Sequence, residues 1–458
     1  MSESEKNVFL ILTWSFLDNG IMMDILTEGE EKSFMDMQML NKDFLIIATE
    51  ELGCIYYVPQ KRLAKIDSKV ALELKKCQLG ERELTAVQRE LLNSLRDGKF
   101  ASEKTEKETA NRITEIELVV STKCNLNCVY CYANGGNYQG KESIMPFETA
   151  DAVVRYLKEN KIEIGTVQFF GGEPMLAYQT ISYLCGQLQK NDISVGKYAM
   201  VSNLTFLPEE FLEDIAKYNI HITASIDGPK EITNKQRLSR DKRLDVYDTI
   251  VQNINRLRNR GLDITAVECT YTDAHRNAGY TSEKLKKFFK QELGVENVIL
   301  ENASDVFCGD DKADDYADYF QSPEMSLEEI KFLKFLLDKK TENSVFCLAG
   351  IRKYAIFPDG SIYPCHLFAP MKEEYRMGNV FDIVWDKSEK CNVTLRKLEK
   401  VKQMCHCADC KGRNFCHQCI ASVLLSPKAV DCEKNIEIYA GVINNYMKSK
   451  CITSNIKK

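Results

Sequence analysis

The chain has 458 residues, too many for one ordinary core, and its 44% hydrophobic and 28% charged residues describe a globular protein of two or three domains. Its net charge of -6 gives no general attraction for nucleic acid, so no nucleic-acid partner is expected. The polar, acidic start Met1-Ser2-Glu3-Ser4-Glu5-Lys6 is unlike a secretory signal, and no run of about 18 apolar residues could span a bilayer; a cytoplasmic protein with no membrane partner is expected. Residues 1 to about 100 read as short strands followed by helices. Gly53 to Pro59 and Leu63 to Asp67 form a predicted hairpin, Ser68 caps a helix through Lys76, and a second helix fits Leu84 to Leu95. The run Ser102 to Glu108 is polar and without apolar period, which places a linker and a boundary near residue 105.

From there strands and helices alternate. Strands are predicted at Ile116 to Val120, Val167 to Phe170, Tyr198 to Ser202, Ile222 to Ile226, Ile264 to Thr270 and Val298 to Leu300. Helices are predicted at Pro146 to Glu159, Gln179 to Gln189, Pro208 to Lys217, Val246 to Arg258 and Ser282 to Gln291. Six strands with intervening helices imply an α/β fold around a parallel sheet, either doubly wound or part of a barrel, with its site at the strands' C-terminal ends. After Ser344 the rhythm is lost.

Eighteen cysteines in a reducing compartment are read as metal or cluster ligands rather than as disulfides. Eight of them, Cys54, Cys77, Cys185, Cys269, Cys308, Cys391, Cys405 and Cys451, stand outside clear patterns and are read as small buried hydrophobes. Cys124, Cys128 and Cys131 share one short loop after the first strand of the repeating pattern. Three thiolates on a four-iron cluster leave one iron open to a small chelating molecule. Zinc would want a fourth nearby ligand, and the loop has none.

This C-x3-C-x2-C motif, with Tyr130 before its last cysteine, resembles the radical S-adenosylmethionine superfamily. The resemblance implies a partial (β/α)6 TIM-like barrel over residues 106–340. It also implies that the open iron binds S-adenosylmethionine and that a 5′-deoxyadenosyl radical forms and abstracts a hydrogen atom from substrate. Gly171-Gly172-Glu173-Pro174 resembles the family's GGEP motif, whose backbone meets the methionine amino group; a plain strand-ending turn is the competing reading. Ser202 and Asn203, and Ser225 on the next strand, resemble segments that touch the cofactor's ribose and carboxylate, against ordinary strand-end capping. Arg237 is a candidate carboxylate partner because its fork suits bidentate pairing.

A second cysteine group consists of Cys347, Cys365, Cys407, Cys410, Cys416, Cys419 and Cys432. It resembles the SPASM extension of peptide-modifying radical enzymes, over residues 341–458, with two auxiliary four-iron clusters and hence three [4Fe-4S] clusters in all. The resemblance assigns Cys407, Cys410, Cys416 and Cys432 to one cluster and Cys347, Cys365 and Cys419 to the other. The second is then completed by Cys405 or Cys308, or left open for a substrate thiolate. Only two residues, His417 and Gln418, precede Cys419 where the family has three. A zinc ribbon of Cys407, Cys410, Cys416 and Cys419 is the alternative, and it leaves the other three cysteines unexplained.

His366 follows Cys365 at a place where sulfatase-maturing relatives carry an aspartate base, and the surrounding Ile362 to His366 resembles maturases that install thioethers in ribosomally made peptides (sactipeptides and ranthipeptides). His366 is accordingly a candidate acid/base residue. Residues 1–105 resemble a leader-recognition element, in which a leader peptide adds a strand to a sheet edge. The expected function is thioether crosslinking of a cysteine-containing precursor peptide, with a flavodoxin or ferredoxin-type reductant. The alternatives are carbon–carbon crosslinking, decarboxylation, epimerisation or sulfatase formylglycine maturation on the same architecture, or a metal-binding or electron-transfer protein without catalysis.

Overall fold

The computed structural model describes residues 15–17, 20–22, 39–49, 53–60, 62–97, 112–302, 348–404, 419–425, 440–441 and 443. Two short strands, β1 (Ser15–Leu17) and β2 (Gly20–Met22), pair antiparallel. Next comes a three-stranded antiparallel sheet of β3 (Phe44–Ala48), β4 (Gly53–Tyr57) and β5 (Arg62–Ile66) in that order. The expected hairpin is present, and β3 is an addition to it. Helices α1 (Ser68–Gln78) and α2 (Ala86–Arg96) follow. The alternating Phe44 and Ile46, with Ile55 and Tyr57, share a core with Ala71 and Leu74 of α1 and Leu92 and Leu95 of α2. The cap of α1 is Asp67 rather than Ser68: its carboxylate accepts from the Lys69 and Val70 amides at 2.9 and 3.4 Å, a placement that suits an anion at a helix start.

The main sheet has nine strands in the order β11-β10-β9-β8-β7-β6-β12-β13-β14. Strands β6 (Arg112–Ser121), β7 (Glu163–Gly171), β8 (Val195–Ser202), β9 (Ile220–Ser225), β10 (Ile264–Tyr271) and β11 (Val298–Asn302) are all parallel. Between them run α3 (Phe147–Glu159), α4 (Tyr178–Lys190), α5 (Leu212–Lys217), α6 (Lys230–Gln236), α7 (Val246–Asn259), α8 (Asp273–Asn277) and α9 (Ser282–Leu293). This is the α/β partial barrel. The expected helix from Pro208 is a 3-10 turn, Glu209–Phe211, that leads into α5. Helices α6 and α8 are too short to show an apolar period.

Alternation along the strands sorts two faces. Ile116, Leu118 and Val120 of β6, with Val167 and Phe169 of β7, join the core made with the helices. The other face turns Glu117, Val119, Gln168 and Phe170 to the barrel interior, where Val119 joins a second core with Phe357, Cys365 and Phe368.

The C-terminal part continues this sheet. β12 (Lys353–Ile356) lies parallel to β6, with Lys353 opposite Glu115 and Ala355 opposite Glu117. β13 (Ser361–Tyr363) and β14 (Gly378–Asn379) then add antiparallel. Helices α10 (Glu389–Met404) and α11 (Ile420–Leu425) complete the described part. No helix among the described residues is long and apolar enough to cross a membrane.

Candidate functional site

The three clustered cysteines occupy the loop that leaves β6 at the C-terminal edge of the sheet. Residues 125–129 of this loop pair antiparallel with 236–240. The Arg240 amide donates to the Asn125 carbonyl at 3.0 Å, Asn127 to Leu238 at 2.7 Å and Val129 to Gln236 at 2.9 Å, and Leu126 stands opposite Ser239. Alternation on this ladder turns Leu126, Cys128 and Arg237 inward and Asn127, Val129, Leu238 and Arg240 outward, as their burial confirms.

Burial and the Glu173 charge push the Cys124 thiol up to about 12, and burial pushes Cys128 up to about 11 even though Arg237 opposes it. Each of these two thiols also interacts electrostatically with Cys131. Protonated thiols of this kind give up their protons when iron binds, because a coordinating thiol is deprotonated outright. Donors already face the sulfurs: the Leu126 amide at 3.4 Å and the Asn203 side-chain amide at 3.9 Å from Cys124, and the Gly135 amide at 3.3 Å from Cys131. Hydrogen bonds of this sort tune iron–sulfur centres. No three His, Cys, Asp or Glu side chains among the described residues close around a single ion. The loop supplies three thiols and no fourth Cys or His, which suits a cluster with an open iron better than a zinc cage.

The GGEP turn packs directly on this loop. The Gly172 amide donates to the Ser121 carbonyl and the Glu173 amide to the Lys123 carbonyl, both at 2.8 Å. Gly171 has φ +146°, and a Cβ on it would lie 2.0 Å from the Ser121 carbonyl oxygen; one on Gly172 would lie 2.4 Å from that of Lys123. Both glycines are thus required by close backbone approach. Pro174 is buried and opens a short 3-10 turn. The Glu173 side chain, 1% exposed, turns inward and accepts from the Met175 amide at 2.9 Å, the Ser202 hydroxyl at 2.7 Å and the Asn203 amide at 2.8 Å. Burial pushes its carboxyl up to about 7, against those donors. Ser202 therefore spends its hydroxyl on Glu173. Asn203 spends its amide on Asn125 at 2.9 Å and on Cys124, and its carbonyl on Thr205. The Ser225 hydroxyl is half-buried at the end of β9, with no partner among the described residues.

Arg237 lies under the ladder and pairs with Asp227 at 2.9 Å, with side chains 7% and 0% exposed. Asp227 also accepts from Tyr130 at 2.6 Å, Gln236 at 3.1 Å and the Thr270 amide at 3.1 Å, tying the cysteine loop to β9 and β10. The Arg237 Nε is buried without a partner among the described residues, which leaves a donor for a ligand oxygen and fits a carboxylate-bearing cofactor.

His366 enters the interior from the segment after β13. Its backbone amide and Nδ1 both reach one Glu117 oxygen at 3.0 Å, and the Lys353 ammonium reaches the other at 2.9 Å. Burial would raise Glu117, but His366 and Lys353 hold it down to about 2. The His366 ring sits 4.5 Å from that of Phe170 and 5.7 Å from that of Tyr132. With Nδ1 on a carboxylate, Nε2 is left as the ring's acceptor. Cys365 and Cys419 belong to the same apolar cluster and to no disulfide. Cys347, Cys407, Cys410, Cys416 and Cys432 lie outside the described residues, as do Cys308 and Cys405.

Sequence reasoning missed Glu117, Asp227 and Glu268. Glu268 lies on β10 opposite Ser225, and burial raises its carboxyl while Arg237 opposes the shift. For Glu117 and Glu268 the available signal was an acid alternating with apolar residues, as in Ile116-Glu117-Leu118, inside a strand covered on both faces.

The radical SAM superfamily matches residues 118–275, and the SPASM iron–sulfur cluster-binding domain matches residues 347–411. These two matches imply S-adenosylmethionine and iron–sulfur clusters as cofactors. The chain thus carries a radical SAM domain and a SPASM domain. Among relatives, the radical SAM cyclopropyl synthase TigE of Paramaledivibacter caminithermalis is 34% identical over 27% of this chain and 29% of its own. A cysteine-type anaerobic sulfatase-maturating enzyme of Clostridium novyi is 24% identical over 65% of this chain and 84% of its own. The antilisterial bacteriocin subtilosin biosynthesis protein AlbA of Bacillus subtilis is 23% identical over 57% and 55%. The chain spans only 29% and 45% of the first two curated relatives it matches. Native anSMEcpe with bound AdoMet shares the fold, with a TM-score of 0.55 at 19% identity over 75% of this chain and 100% of that one.

Proposed function

We propose that the chain matures a ribosomally made precursor peptide by joining a cysteine sulfur to a carbon of another residue. The observation that carries this reading is His366, held on Glu117 with its ring between Phe170 and Tyr132, at the place after Cys365 where the sulfatase maturases have an aspartate. Similarity to a bacteriocin biosynthesis protein supports a peptide substrate. The sheet of β3, β4 and β5 supports a site for its leader, which would extend an edge strand.

Cys124, Cys128 and Cys131 would hold the cluster that takes S-adenosylmethionine. Gly171, Gly172, Glu173, Ser202, Asn203, Ser225 and Arg237 would shape the cofactor's place, and the seven C-terminal cysteines would hold two further clusters. When bound, these groups supply hydrogen-atom abstraction from the acceptor carbon by a 5′-deoxyadenosyl radical and take up the electron left over as the carbon–sulfur bond closes. His366 accepts the thiol proton at Nε2. Glu117 fixes the ring's tautomer. Phe170 and Tyr132 keep water from the reacting thiolate.

The test is to search the neighbouring genes for a short cysteine-containing peptide and to react the reconstituted enzyme with it. The expected product lacks two hydrogens per bridge and resists thiol alkylation at the donor cysteine, and a Cys-to-Ser peptide gives none. His366→Asn is expected to abolish crosslinking while 5′-deoxyadenosine still forms. A product with a new carbon–carbon bond and all thiols free would refute the thioether.

A further inference from the structure

A core of apolar side chains lies between the two cysteine groups. Tyr138 and Cys365 are buried members of it, with Phe357 and Phe368, and Cys131, Tyr132 and Cys419 pack against it. Tyr138 belongs to the cysteine loop and is 4% exposed; its ring stands edge-on to Phe357 at 5.3 Å and to Tyr132 at 6.2 Å. Its hydroxyl is buried and makes no hydrogen bond of ordinary geometry among the described residues. Tyr132, Glu117, Cys131 and Cys365 are its electrostatic neighbours. The backbone is unusual too. Tyr138 has φ +51°, in the left-handed region that a bulky side chain rarely occupies, with its amide held on the Ala133 carbonyl at 2.9 Å.

Packing explains this ring but not its hydroxyl. Phenylalanine would fill the same place, and glycine or asparagine would ease the backbone, yet the chain keeps a tyrosine whose oxygen is out of water and unpaired. Strain and an orphaned polar atom at one residue point to a group that completes them. Glu117 is already taken up by His366 and Lys353, which leaves sulfur as the acceptor on that side. The same turn already donates to sulfur, through the Gly135 amide at 3.3 Å from Cys131. Resting on the clusters assigned above, we infer that the Tyr138 hydroxyl donates a hydrogen bond to a sulfur of an iron–sulfur centre in the wall between Cys131 and Cys365. A donor there stabilises the extra negative charge of the reduced cluster and raises its potential. Tyr138 tunes the centre and itself carries neither electron nor proton.

The experiment is a redox titration of reconstituted holoenzyme followed by electron paramagnetic resonance. Tyr138→Phe is expected to keep its iron and to lower the potential of one centre, so that at a fixed potential the reduced-to-oxidised ratio of that centre falls by about threefold or more. Fluorotyrosine installed at the same position keeps the shape and donates more strongly, so it is expected to move the same centre the other way. Should Tyr138→Phe lose iron, the fluorotyrosine shift decides alone. Repeating Tyr138→Phe on the protein with Cys124, Cys128 and Cys131 replaced by Ala tells the two centres apart. A shift that survives there puts the acceptor sulfur on the centre of Cys365, and one that vanishes puts it on the centre of Cys131. Unmoved potentials overturn the inference. So do shifts of the same sign with phenylalanine and with fluorotyrosine, which would mark disturbed packing. An unaltered protein that binds no iron fails the cluster assignment itself, whereas bound iron with unmoved potentials fails only the role of Tyr138.

Discussion

Gly171 shows how tightly a single residue is bound to the cysteine loop. Its positive φ and the 2.0 Å from a built Cβ to the Ser121 carbonyl leave no place for a side chain. Gly171→Ala is expected to displace the GGEP turn from the loop and to destabilise the fold by about 3 kcal/mol, as overpacking of a tight site does. Thermal melting and iron content after reconstitution would both fall; a variant with normal melting and iron would show the contact to be slack. Glu117 invites a test with a defined pH sign. Its carboxyl is held down to about 2, below its ordinary 4.5, so the stability it contributes is present above that value and is lost as pH falls toward 2. Glu117→Gln leaves Lys353 with Glu115 alone and is expected to cost about 3 kcal/mol at pH 7. The gap between variant and wild-type urea midpoints should narrow below about pH 4.5; a gap that stays constant with pH would contradict the ion pair.

Elements whose chemistry is local could be read from the amino-acid order. The cysteine loop and the GGEP turn declare themselves through spacing, because a cluster needs thiols on one short loop and a close approach needs glycine. The six parallel strands declare themselves through period. The strand β3, the short helices α6 and α8, and the pairing of β12 with β6 do not, since each depends on what lies across from it in space. Glu117 stayed hidden for the same reason: an acid in a strand acquires meaning only when Lys353 and His366 arrive from far along the chain. At this scale the N-terminal sheet yields a prediction. Removing residues 1–100 is expected to weaken binding of the leader at least tenfold, about 1.4 kcal/mol, and to spare cofactor cleavage; undiminished binding would assign the leader elsewhere. Within that unit, Thr85 and Gln88 form a reciprocal cap on α2. Thr85→Ala should lower the melting point by the equivalent of about 1 kcal/mol.

At the scale of the molecule the two cysteine groups are expected to act independently in holding iron. Replacing Cys124, Cys128 and Cys131 together by Ala should abolish 5′-deoxyadenosine formation and remove one third of the iron, leaving two clusters' worth in the C-terminal part. Iron matching a single cluster in the unaltered protein would contradict the three-cluster count.

The pairing of β12 with β6 ties the first strand of the barrel to residues made more than two hundred positions later. During translation, β6 and its cysteine loop leave the ribosome long before their neighbour exists. At the usual rate of synthesis the interval is on the order of ten to fifty seconds. Throughout it one side of the nascent sheet offers unpaired amides and carbonyls to any passing strand. The C-terminal part is therefore no detachable accessory: a chain stopped before residue 353 would keep that edge open, and holding chaperones, rather than the barrel's own stability, would decide how much of it stays in solution.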